Sequence, residues 1–597
     1  MGFLMTSSLA FPRRLFYTPI LMTQTWTKEK LLAEVEALAE IAAHPAGEGL
    51  DSSFSHRIEQ LREIYRGTPA LFDPPLVKWI RRLAELKPRH ETPKAVLSSI
   101  FGYGTFRAGQ EELIAAVLAG HDAVGIMPTG AGKSLTYQIP AKILAGTTLV
   151  ISPLISLMKD QVDALTELGM NATFINSSLD PEERKNRTAR LIAGQYDLVY
   201  IAPEGLDGTL FNLLSRCKIN LIAIDEAHCI SQWGHDFRPA YRNLSTLKTH
   251  FGRVPVLALT ATATDKVADD IAQQMSMMNP FRYRGSFFRQ NLHLHAYKKG
   301  NGRNTKQDIL HLVQSRRGQS GIIYCLSRKG VEQTAAYLAE HGVRVLSYHA
   351  GMAHERRDES QEMFRRDEIE VIVATVAFGM GIDKPNVRYV IHRDMPKSID
   401  GYYQEIGRAG RDGVGSDCIL FYSWSEVMSY DRFLSEATDE EIKNRTAAQT
   451  REMFRLAEKE VCRHQALVGY FGERIPPCEK SCDICLKRDL LKEIRPLHQK
   501  KPRSARPLAP WTASPDPMED TASSELLDKL KALRKKLADE KGVPAYLIFS
   551  DAVLLEMVAA RPQNEDEMLQ INGVGPKKLA AYAGYFLPLL SNAGPTA

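Results

Sequence analysis

The chain has 597 residues, too many for a single hydrophobic core, and its length predicts about three to five domains. Hydrophobic residues make up 44% and charged residues 25%, which is usual for a soluble globular protein and excludes a largely disordered chain. The formal net charge is only +5, so overall charge says little about partners and any nucleic-acid site must be local.

The N-terminal region predicts an extension without catalytic chemistry. Its longest apolar stretch is interrupted by prolines and arginines within 12–19, which argues against a membrane-spanning helix or a signal peptide. We therefore expect a cytoplasmic protein with no membrane partner. Residues 27–90 repeat apolar positions every three or four residues, as amphipathic helices do. We predict a helical extension over 1–90 that packs or docks a partner, with 1–21 unstructured if translation begins at Met22.

A candidate base-recognition segment follows at residues 101–110. The amide of Gln110 offers a donor and an acceptor side by side, which can pair with N6 and N7 of adenine. Arg107 is a second candidate in the same segment. A surface glutamine is the ordinary alternative, and the position just ahead of the next motif favours the functional reading.

The central motif is the phosphate-binding loop at 127–134. It follows an apolar stretch, Ala123–Ile126, that predicts a buried strand, and it precedes a helix-like run, as such loops require. Met127 stands where the general pattern has glycine. Small residues let backbone N–H groups point at a triphosphate, Lys133 would reach the β- and γ-phosphates, and Ser134 would hold Mg²⁺. The predicted ATP contacts here are Thr129, Gly130, Gly132, Lys133 and Ser134.

An α/β architecture is predicted after this loop. Apolar β-type runs alternate with segments of helix length, which is typical of a parallel sheet with helices on both faces. These runs are Thr148–Ile151, Leu198–Ile201, Leu221–Ile224 and Val256–Leu259. Each ends in a polar cluster, and ligands of open α/β sheets bind at the carboxyl ends of the strands.

Asp225-Glu226-Ala227-His228 supplies the second half of the predicted chemistry. Asp225 follows a buried strand and can hold Mg²⁺, directly or through water. Its neighbour Glu226 can orient or deprotonate the attacking water. With a phosphate loop upstream, this combination resembles a superfamily 2 helicase.

The segment 229–241 resembles the aromatic-rich loop of the RecQ DNA helicases. Aromatic rings interleaved with basic side chains supply stacking platforms and phosphate contacts for single-stranded nucleic acid. The predicted DNA contacts are Trp233, His235, Phe237, Arg238 and Tyr241. The alternative is a set of aromatic side chains buried in a seam between domains.

A second α/β unit without a phosphate loop is predicted over 286–430. Strands are expected at Gly321–Cys325, Val343–His349 and Val371–Thr375. One ATP would then lie in the cleft between the two units. The second unit would complete the site with an arginine finger, Arg408 or Arg411, although salt bridging on a helix surface is the alternative.

Two motifs of this second unit strengthen the resemblance. The run 404–413 matches the last helicase motif of the RecQ family, and 374–383 resembles the motif before it, which in relatives links the ATP state to DNA contacts. The resemblance implies two tandem RecA-like domains, at 91–285 and 286–430. It also implies a 3′ to 5′ DNA helicase of recombination and repair that acts on single-stranded and on tailed or branched duplex DNA.

Four of the eight cysteines crowd into one segment and predict a metal site. Four thiolates at this spacing can bind one Zn²⁺ tetrahedrally, with bonds of about 2.3 Å, and a cytoplasmic protein disfavours disulfides. The predicted zinc ligands are Cys462, Cys478, Cys482 and Cys485. The surrounding sequence resembles the RecQ zinc module, which we place at 431–486 with a structural ion.

Beyond the zinc module the chain departs from the family pattern. Residues 487–506 contain eight basic and two acidic side chains, and 487–524 is predicted to be a flexible linker that tracks DNA phosphates or is merely solvated. RecQ helicases usually carry a winged-helix domain here. Its apparent absence makes duplex unwinding a weaker expectation than ATP hydrolysis.

The last predicted unit, 525–592, is a small helical bundle that resembles the HRDC domain of the same family. Its segment Ile571–Lys578 is a candidate phosphate contact or a plain turn between helices. The complete prediction is an ATP-, Mg²⁺- and Zn²⁺-dependent RecQ-like helicase, with a monomer as the working expectation. The alternatives are an RNA-directed helicase and an ATP-gated scaffold or translocase that does not separate strands.

Overall fold

The computed structural model describes residues 26–43, 52–84, 92–153, 155–176, 178–206, 208–231, 238–300, 302–379, 384–435, 440–494 and 521–591. The chain divides into two compact units, Met1–Glu91 and Thr92–Ala597, and each unit is described by itself.

The first unit contains three helices with their own hydrophobic core. They are α1 (Lys28–Ala43), α2 (Ser52–Gly67) and α3 (Pro74–Ala84). Apolar side chains at helical spacing, such as Leu31, Val35 and Leu38, are fully buried against one another. The predicted amphipathic helices are therefore present in this part of the chain.

The second unit begins with a seven-stranded parallel sheet in the order β3-β4-β2-β5-β6-β1-β7. Its central strands are buried on both faces, which explains why they appear in the sequence as continuous apolar runs. The strands are β1 (Ala123–Ile126), β2 (Thr147–Ile151), β3 (Ala172–Ile175), β4 (Leu198–Ile201), β5 (Ile219–Ile224), β6 (Val256–Thr260) and β7 (Phe281–Arg284). The helices around them are α4 (Pro93–Ser99), α5 (Gln110–Leu118), α6 (Leu135–Ile143), α7 (Ile155–Glu167), α8 (Pro181–Ile192), α9 (Gly208–Leu214), α10 (Ser245–Phe251) and α11 (Asp265–Gln274).

A second parallel sheet has six strands in the order β10-β11-β9-β12-β13-β8. Its strands are β8 (Leu292–Lys298), β9 (Ser320–Tyr324), β10 (Val345–Tyr348), β11 (Val371–Ala374), β12 (Val387–His392) and β13 (Ser416–Tyr422). Its helices are α12 (Thr305–Gln314), α13 (Arg328–Glu340), α14 (His354–Arg365) and α15 (Ile399–Ile406). The prediction of two tandem parallel-sheet domains is confirmed.

The predicted zinc module is helical and is joined to the edge of the second sheet. Its helices are α16 (Trp424–Ser435), α17 (Glu440–Glu458), α18 (Arg463–Tyr470) and α19 (Asp483–Leu486). The backbone of edge strand β8 finds acceptors in this module: Leu294 N–H donates to Ser481 O at 3.0 Å, and Ala296 N–H donates to the Asp483 side-chain carboxylate at 3.0 Å.

The start of the predicted linker is folded. Helix α20 (Leu490–Ile494) places Leu490 and Leu491 in the core beside the second sheet. Arg488 in turn pairs with Glu493 at 2.6 Å. The prediction of a flexible linker over 487–494 is therefore wrong, because two adjacent leucines outweigh the basic composition. Residues 495–520 lie outside the described part of the chain.

The C-terminal region is an all-α bundle, as predicted. It contains α21 (Thr521–Lys541), α22 (Ala545–Ile548), α23 (Asp551–Ala560), α24 (Glu565–Leu569) and α25 (Pro576–Ser591). Phe549 and Phe586 are fully buried at its centre and meet edge to face, with ring centroids 5.1 Å apart. Among the described residues, no helix is long and apolar enough to cross a membrane.

A buried ion pair stabilises the second sheet. Arg316, after α12, donates from Nε at 3.0 Å and from Nη2 at 2.6 Å to one oxygen of Asp417 on β13. The two side chains are only 1% and 8% exposed. Although burial opposes ionisation, Arg316 together with His293 and His295 holds the pKa of Asp417 below its usual range.

We predict that Arg316→Met destabilises the protein by about 3–5 kcal/mol, because it leaves a buried carboxylate without its partner. Denaturant unfolding monitored by circular dichroism measures the effect. The neighbouring exposed Arg317→Met is the matched control, with a change of about 0.5 kcal/mol or less. Equal stability of the two variants would contradict the prediction.

Candidate functional site

The phosphate loop lies at the carboxyl end of β1. Gly130 and Gly132 have positive φ angles of 84° and 77°, a conformation that glycine adopts without steric cost. Lys133 Nζ donates to Met127 O at 3.2 Å, so the lysine folds back over its own loop. The Met127 side chain is fully buried, and the backbone N–H of Met127 donates to Thr260 O at 2.9 Å. Methionine is therefore accommodated here as a core residue.

Gln110 contacts the phosphate loop directly. Its Nε2 donates to Ala131 O at 3.1 Å and to Gly132 O at 3.0 Å, and its Oε1 accepts from Arg107 N–H at 2.9 Å. The Arg107 guanidinium donates to Gly130 O. The amide predicted to read adenine is thus already bonded at both ends to the protein, and it must exchange these bonds to meet a base.

The carboxylates at the end of β5 form a compact cluster. Asp225 N–H donates to Ile151 O at 2.8 Å, which fixes the residue at the sheet edge. Glu226 adopts a left-handed conformation with φ of 50°, and its carboxylate lies 3.3 Å from His228 Nδ1. The same nitrogen lies 3.0 Å from the Thr260 hydroxyl. A non-glycine residue in this region is strained, and such strain is often found at functional sites.

Burial sets the protonation behaviour of this cluster. It raises the pKa of Asp225 to about 7, neighbouring Glu226 adds to the rise, and the Lys133 ammonium opposes it. His228 shows the opposite balance, because contacts with Cys229 and Glu226 raise its pKa despite the cost of burying the imidazolium. The effect of Lys133 on the pKa of Asp225 shows that the ammonium and the carboxylate lie close together.

Two arginines, Arg289 and Arg411, lie beside the phosphate loop, and a third, Arg408, lines the cavity next to that loop. Arg408 is 7% exposed and donates to Gly379 O. Arg411 lies directly over the loop: a Cβ added at Gly130 would stand 3.5 Å from Arg411 Cα. Arg289 donates to Gly407 O at 3.0 Å and to Gly410 O at 2.7 Å. These bonds fix residues 407–411, the arginine-bearing turn, which carries Arg408 and Arg411. Arg289 was not predicted from the sequence, because it lies in a short connection without a motif.

These groups surround one cavity of about 720 Å³, a size suited to a nucleotide. The predicted site residues that line it are Arg107, Gln110, Thr129, Gly130, Gly132, Lys133, Ser134, Asp225, Glu226, Arg408 and Arg411. Ser550, Val553, Glu556, Asn572 and Lys578 of the C-terminal bundle also line it. Every predicted ATP-site residue is therefore brought together, with a contribution from the bundle that the sequence did not indicate.

The aromatic-rich segment is described only at its two ends, 229–231 and 238–241. Trp233, His235 and Phe237 lie outside the described residues. Arg238 donates from Nη1 to Pro153 O at 3.2 Å. Tyr241 is fully buried, and its hydroxyl donates to Asp225 O at 3.3 Å. The prediction that Tyr241 stacks on a base is therefore contradicted, because its ring has no exposed face.

The four cysteines of the zinc module converge. Their Sγ atoms all lie within 4.8 Å of one another, close to the spacing of about 3.8 Å for a tetrahedral Zn²⁺ site. Cys478 N–H lies 3.2 Å from Cys462 Sγ and Cys485 N–H lies 3.4 Å from Cys482 Sγ, contacts that favour thiolates. The donor set fits a structural Zn²⁺ ion.

Comparison with known families agrees with this geometry. Residues 107–271 match the DEAD/DEAH box helicases, 304–413 the helicase conserved C-terminal domain, 424–486 the RecQ zinc-binding family and 523–590 the HRDC domain. The ATP-dependent DNA helicase RecQ of Pasteurella multocida is 38% identical over 598 positions, which cover 84% of this chain and 94% of that protein. The chain belongs to the RecQ family of ATP-dependent DNA helicases. It is an ATP-dependent helicase enzyme with a zinc-binding module.

A second RecQ relative gives the same relation. The Bacillus subtilis protein is 38% identical, with 83% of this chain and 97% of that protein covered. The alignment with the Pasteurella RecQ contains about 501 residues of this chain (84% of 597) in 598 positions. About 97 positions therefore hold residues of that RecQ alone. A shortfall of this size is consistent with the predicted lack of a winged-helix domain.

We predict that Cys482→Ser removes bound zinc and unfolds the module, because structural Zn²⁺ supplies much of the folding free energy of such sites. Metal analysis of the purified protein and thermal unfolding with and without a chelator measure the two effects. Cys217→Ser, which alters a half-buried thiol outside the cluster, is the control. Retention of one zinc per chain in the Cys482 variant would rule out the four-cysteine site.

Proposed function

We propose that this chain is a 3′ to 5′ DNA helicase that couples ATP hydrolysis to translocation on single-stranded DNA and to duplex unwinding in recombination and repair. The observation that carries the proposal is the single cavity in which Lys133, Asp225 and Arg411 meet. Family membership supports DNA as the substrate, and we propose that single-stranded, tailed and branched forms are bound. A cytoplasmic monomer is the corresponding working state.

The residues of the first domain bind and orient the triphosphate. Backbone N–H groups around Gly130 and Gly132 point at the phosphates, and Lys133 exchanges its bond to Met127 O for the β- and γ-phosphates. Ser134 and Asp225 would hold Mg²⁺, which neutralises charge on the transferred phosphoryl group when bound. ATP would enter this site together with the ion, and Asp225 would bind it as the carboxylate.

Glu226 is the proposed group that orients and deprotonates the attacking water. Its carboxylate lines the cavity and is oriented by His228, 3.3 Å away. A positioned base that is itself held by a third group is the usual arrangement for such proton transfer. Glu226, with its left-handed backbone, lies two residues after the end of β5.

The two candidate arginines have different roles in this proposal. Arg408 donates to Gly379 O within the second domain, which suits a residue that maintains the domain's own motif. Arg411 stands over the phosphate loop, where its guanidinium can neutralise charge on the γ-phosphate in the transition state. We therefore assign the arginine finger to Arg411.

The aromatic-rich segment is the proposed link between DNA and ATP. Trp233, His235, Phe237 and Arg238 would contact bases and phosphates of one strand. The same segment ends at Tyr241, whose hydroxyl is bonded to the Asp225 carbonyl. A DNA-dependent shift of the segment would thus reach the carboxylate cluster through one hydrogen bond.

We predict that Arg411→Ala lowers kcat of DNA-stimulated ATP hydrolysis by about 10³-fold or more, with little change in KM, because the finger acts mainly in the transition state. Steady-state phosphate release with saturating single-stranded DNA is the measurement. Arg366→Ala alters a half-exposed surface ion pair and is expected to leave the rate unchanged. Wild-type hydrolysis by the Arg411 variant would refute the assignment.

A strand-displacement assay separates unwinding from the alternative, an ATP-gated translocase or scaffold that does not separate strands. The shortfall of about 97 positions relative to the Pasteurella RecQ favours that alternative. On a duplex with a 3′ single-stranded tail, we expect ATP-dependent displacement, and none on the 5′-tailed counterpart. Trp233→Ala is expected to remove both displacement and DNA stimulation, while hydrolysis without DNA remains. Stimulated hydrolysis without displacement would identify the translocase, and no stimulation by DNA would refute the role of the aromatic segment.

A further inference from the structure

The C-terminal bundle, residues 521–591, is packed against the domain that carries the phosphate loop. Gly573 N–H donates to Gly102 O at 2.9 Å, and the two backbones approach so closely that a Cβ at Gly102 would stand 2.5 Å from Gly575 N. Gly102 has φ of 73° and precedes the Arg107–Gln110 segment. The bundle is therefore docked, backbone to backbone, at the rim of the nucleotide cavity.

The same bundle also contacts the second sheet domain. The Asp551 carboxylate, at the start of α23, lies 3.3 Å from Arg388 Nη2. Nearby, Lys384 is 1% exposed and lies with Nζ 5.8 Å from the centre of the Tyr546 ring. The bundle thus touches both domains that form the cavity.

Arg388 connects this contact to the arginine-bearing turn. Its Nη1 donates to Asp412 Oδ1 at 3.1 Å, and its Nη2 donates to Asp412 Oδ2 as well as to Asp551. The three side chains are 2% to 13% exposed, so solvent screens them little. Asp412 is the residue directly after Arg411. The Asp551 carboxylate of the bundle is therefore linked through the Arg388 guanidinium to Asp412, whose backbone is joined to the proposed arginine finger.

The geometry of Arg388 fixes how the two carboxylates are oriented relative to each other. A planar guanidinium shared between two carboxylates is held in one orientation, because its N–H donors have fixed directions. The two bonds to Asp412 fix the guanidinium on that carboxylate, so removing Asp551 frees the Arg388–Asp412 pair and its turn to shift together. Since a displacement of about 1 Å at a catalytic group can cost about 10²-fold in rate, a small shift of this turn is enough to matter.

We propose that the docked C-terminal bundle positions Arg411 for ATP hydrolysis through the chain of side chains Asp551, Arg388 and Asp412. Asp551 and Arg388 are positioning residues, and neither touches the nucleotide. The inference rests on the proposed role of Arg411 and adds a partner domain to that site.

The test is a double-mutant cycle in the full chain. Asp551→Asn and Arg388→Met are each expected to lower kcat of DNA-stimulated ATP hydrolysis about ten- to hundredfold, with KM for ATP changed less than about threefold. The double variant is expected to be no slower than Arg388→Met alone, because both changes break the same connection. Asp566→Asn, on an exposed position of the same bundle, is the matched control with wild-type kinetics.

Two further measurements keep the result interpretable. Asp551 also lies 2.9 Å from Arg534 within the bundle, so thermal unfolding of the Asp551 variant must show that the bundle is folded. If it is not, Gly575→Val decides in its place, because its side chain would collide with the Gly102 backbone and undock the bundle while the Arg388–Asp412 pair stays intact. In an Arg411→Ala background, Asp551→Asn is expected to have no further effect.

Several outcomes would overturn the inference. The first is an unchanged kcat in both single variants. The second is a higher kcat in either variant, which would indicate that docking inhibits hydrolysis. The third is a double variant whose loss of kcat equals the product of the two single losses. These outcomes differ from a failure of the proposed function. In that case Arg411→Ala itself would hydrolyse ATP at the wild-type rate, whatever the Asp551 variant does.

Discussion

The common direction of the strands in the first sheet is the constraint on which the site depends. All seven strands are parallel, so their carboxyl ends lie at one edge. The phosphate loop leaves β1 there and Asp225 leaves β5, with β6 between them. Thr260 at the end of β6 contacts both neighbours, through its carbonyl to Met127 and its hydroxyl to His228. The two halves of the ATP chemistry are thereby joined across a single strand.

Much of this arrangement was predictable because its signals are local. The phosphate loop, the acidic cluster after β5 and the four cysteines are short segments whose spacing alone restricts their chemistry. Central strands β2, β4, β5 and β6 of the first sheet were predicted because burial on both faces requires continuous apolar sequence, whereas β12 and β13 of the second sheet were missed. Edge strand β7, Phe281–Arg284, was missed since it alternates arginines with aromatic residues and is largely exposed.

Other features depend on tertiary contacts that no local pattern encodes. Tyr241 was expected to stack on DNA, and only the packing beneath Asp225 determines that its ring is buried. Gln110 was expected to face a base, and its bonds to the phosphate loop arise from a contact between distant parts of the chain. Arg289 contacts the turn that carries Arg408 and Arg411, and Asp551 is joined to that turn through Arg388; both come from segments without motifs. Spatial convergence of this kind is a property of the fold and not of the spacing in sequence.

The attachment of the zinc module to β8 determines what happens to the protein when zinc is lost. Strand β8 is the outer strand of its sheet, and such strands can recruit strands of other molecules. The segment around Ser481 and Cys482 covers it through the bridge at Leu294 and the Asp483 carboxylate, and Cys482 is a zinc ligand in the proposed site. Loss of the metal would uncover the edge of a seven-residue strand whose apolar residues alternate with histidines. The expected end state is then intermolecular β-pairing and aggregation, not a soluble unfolded module.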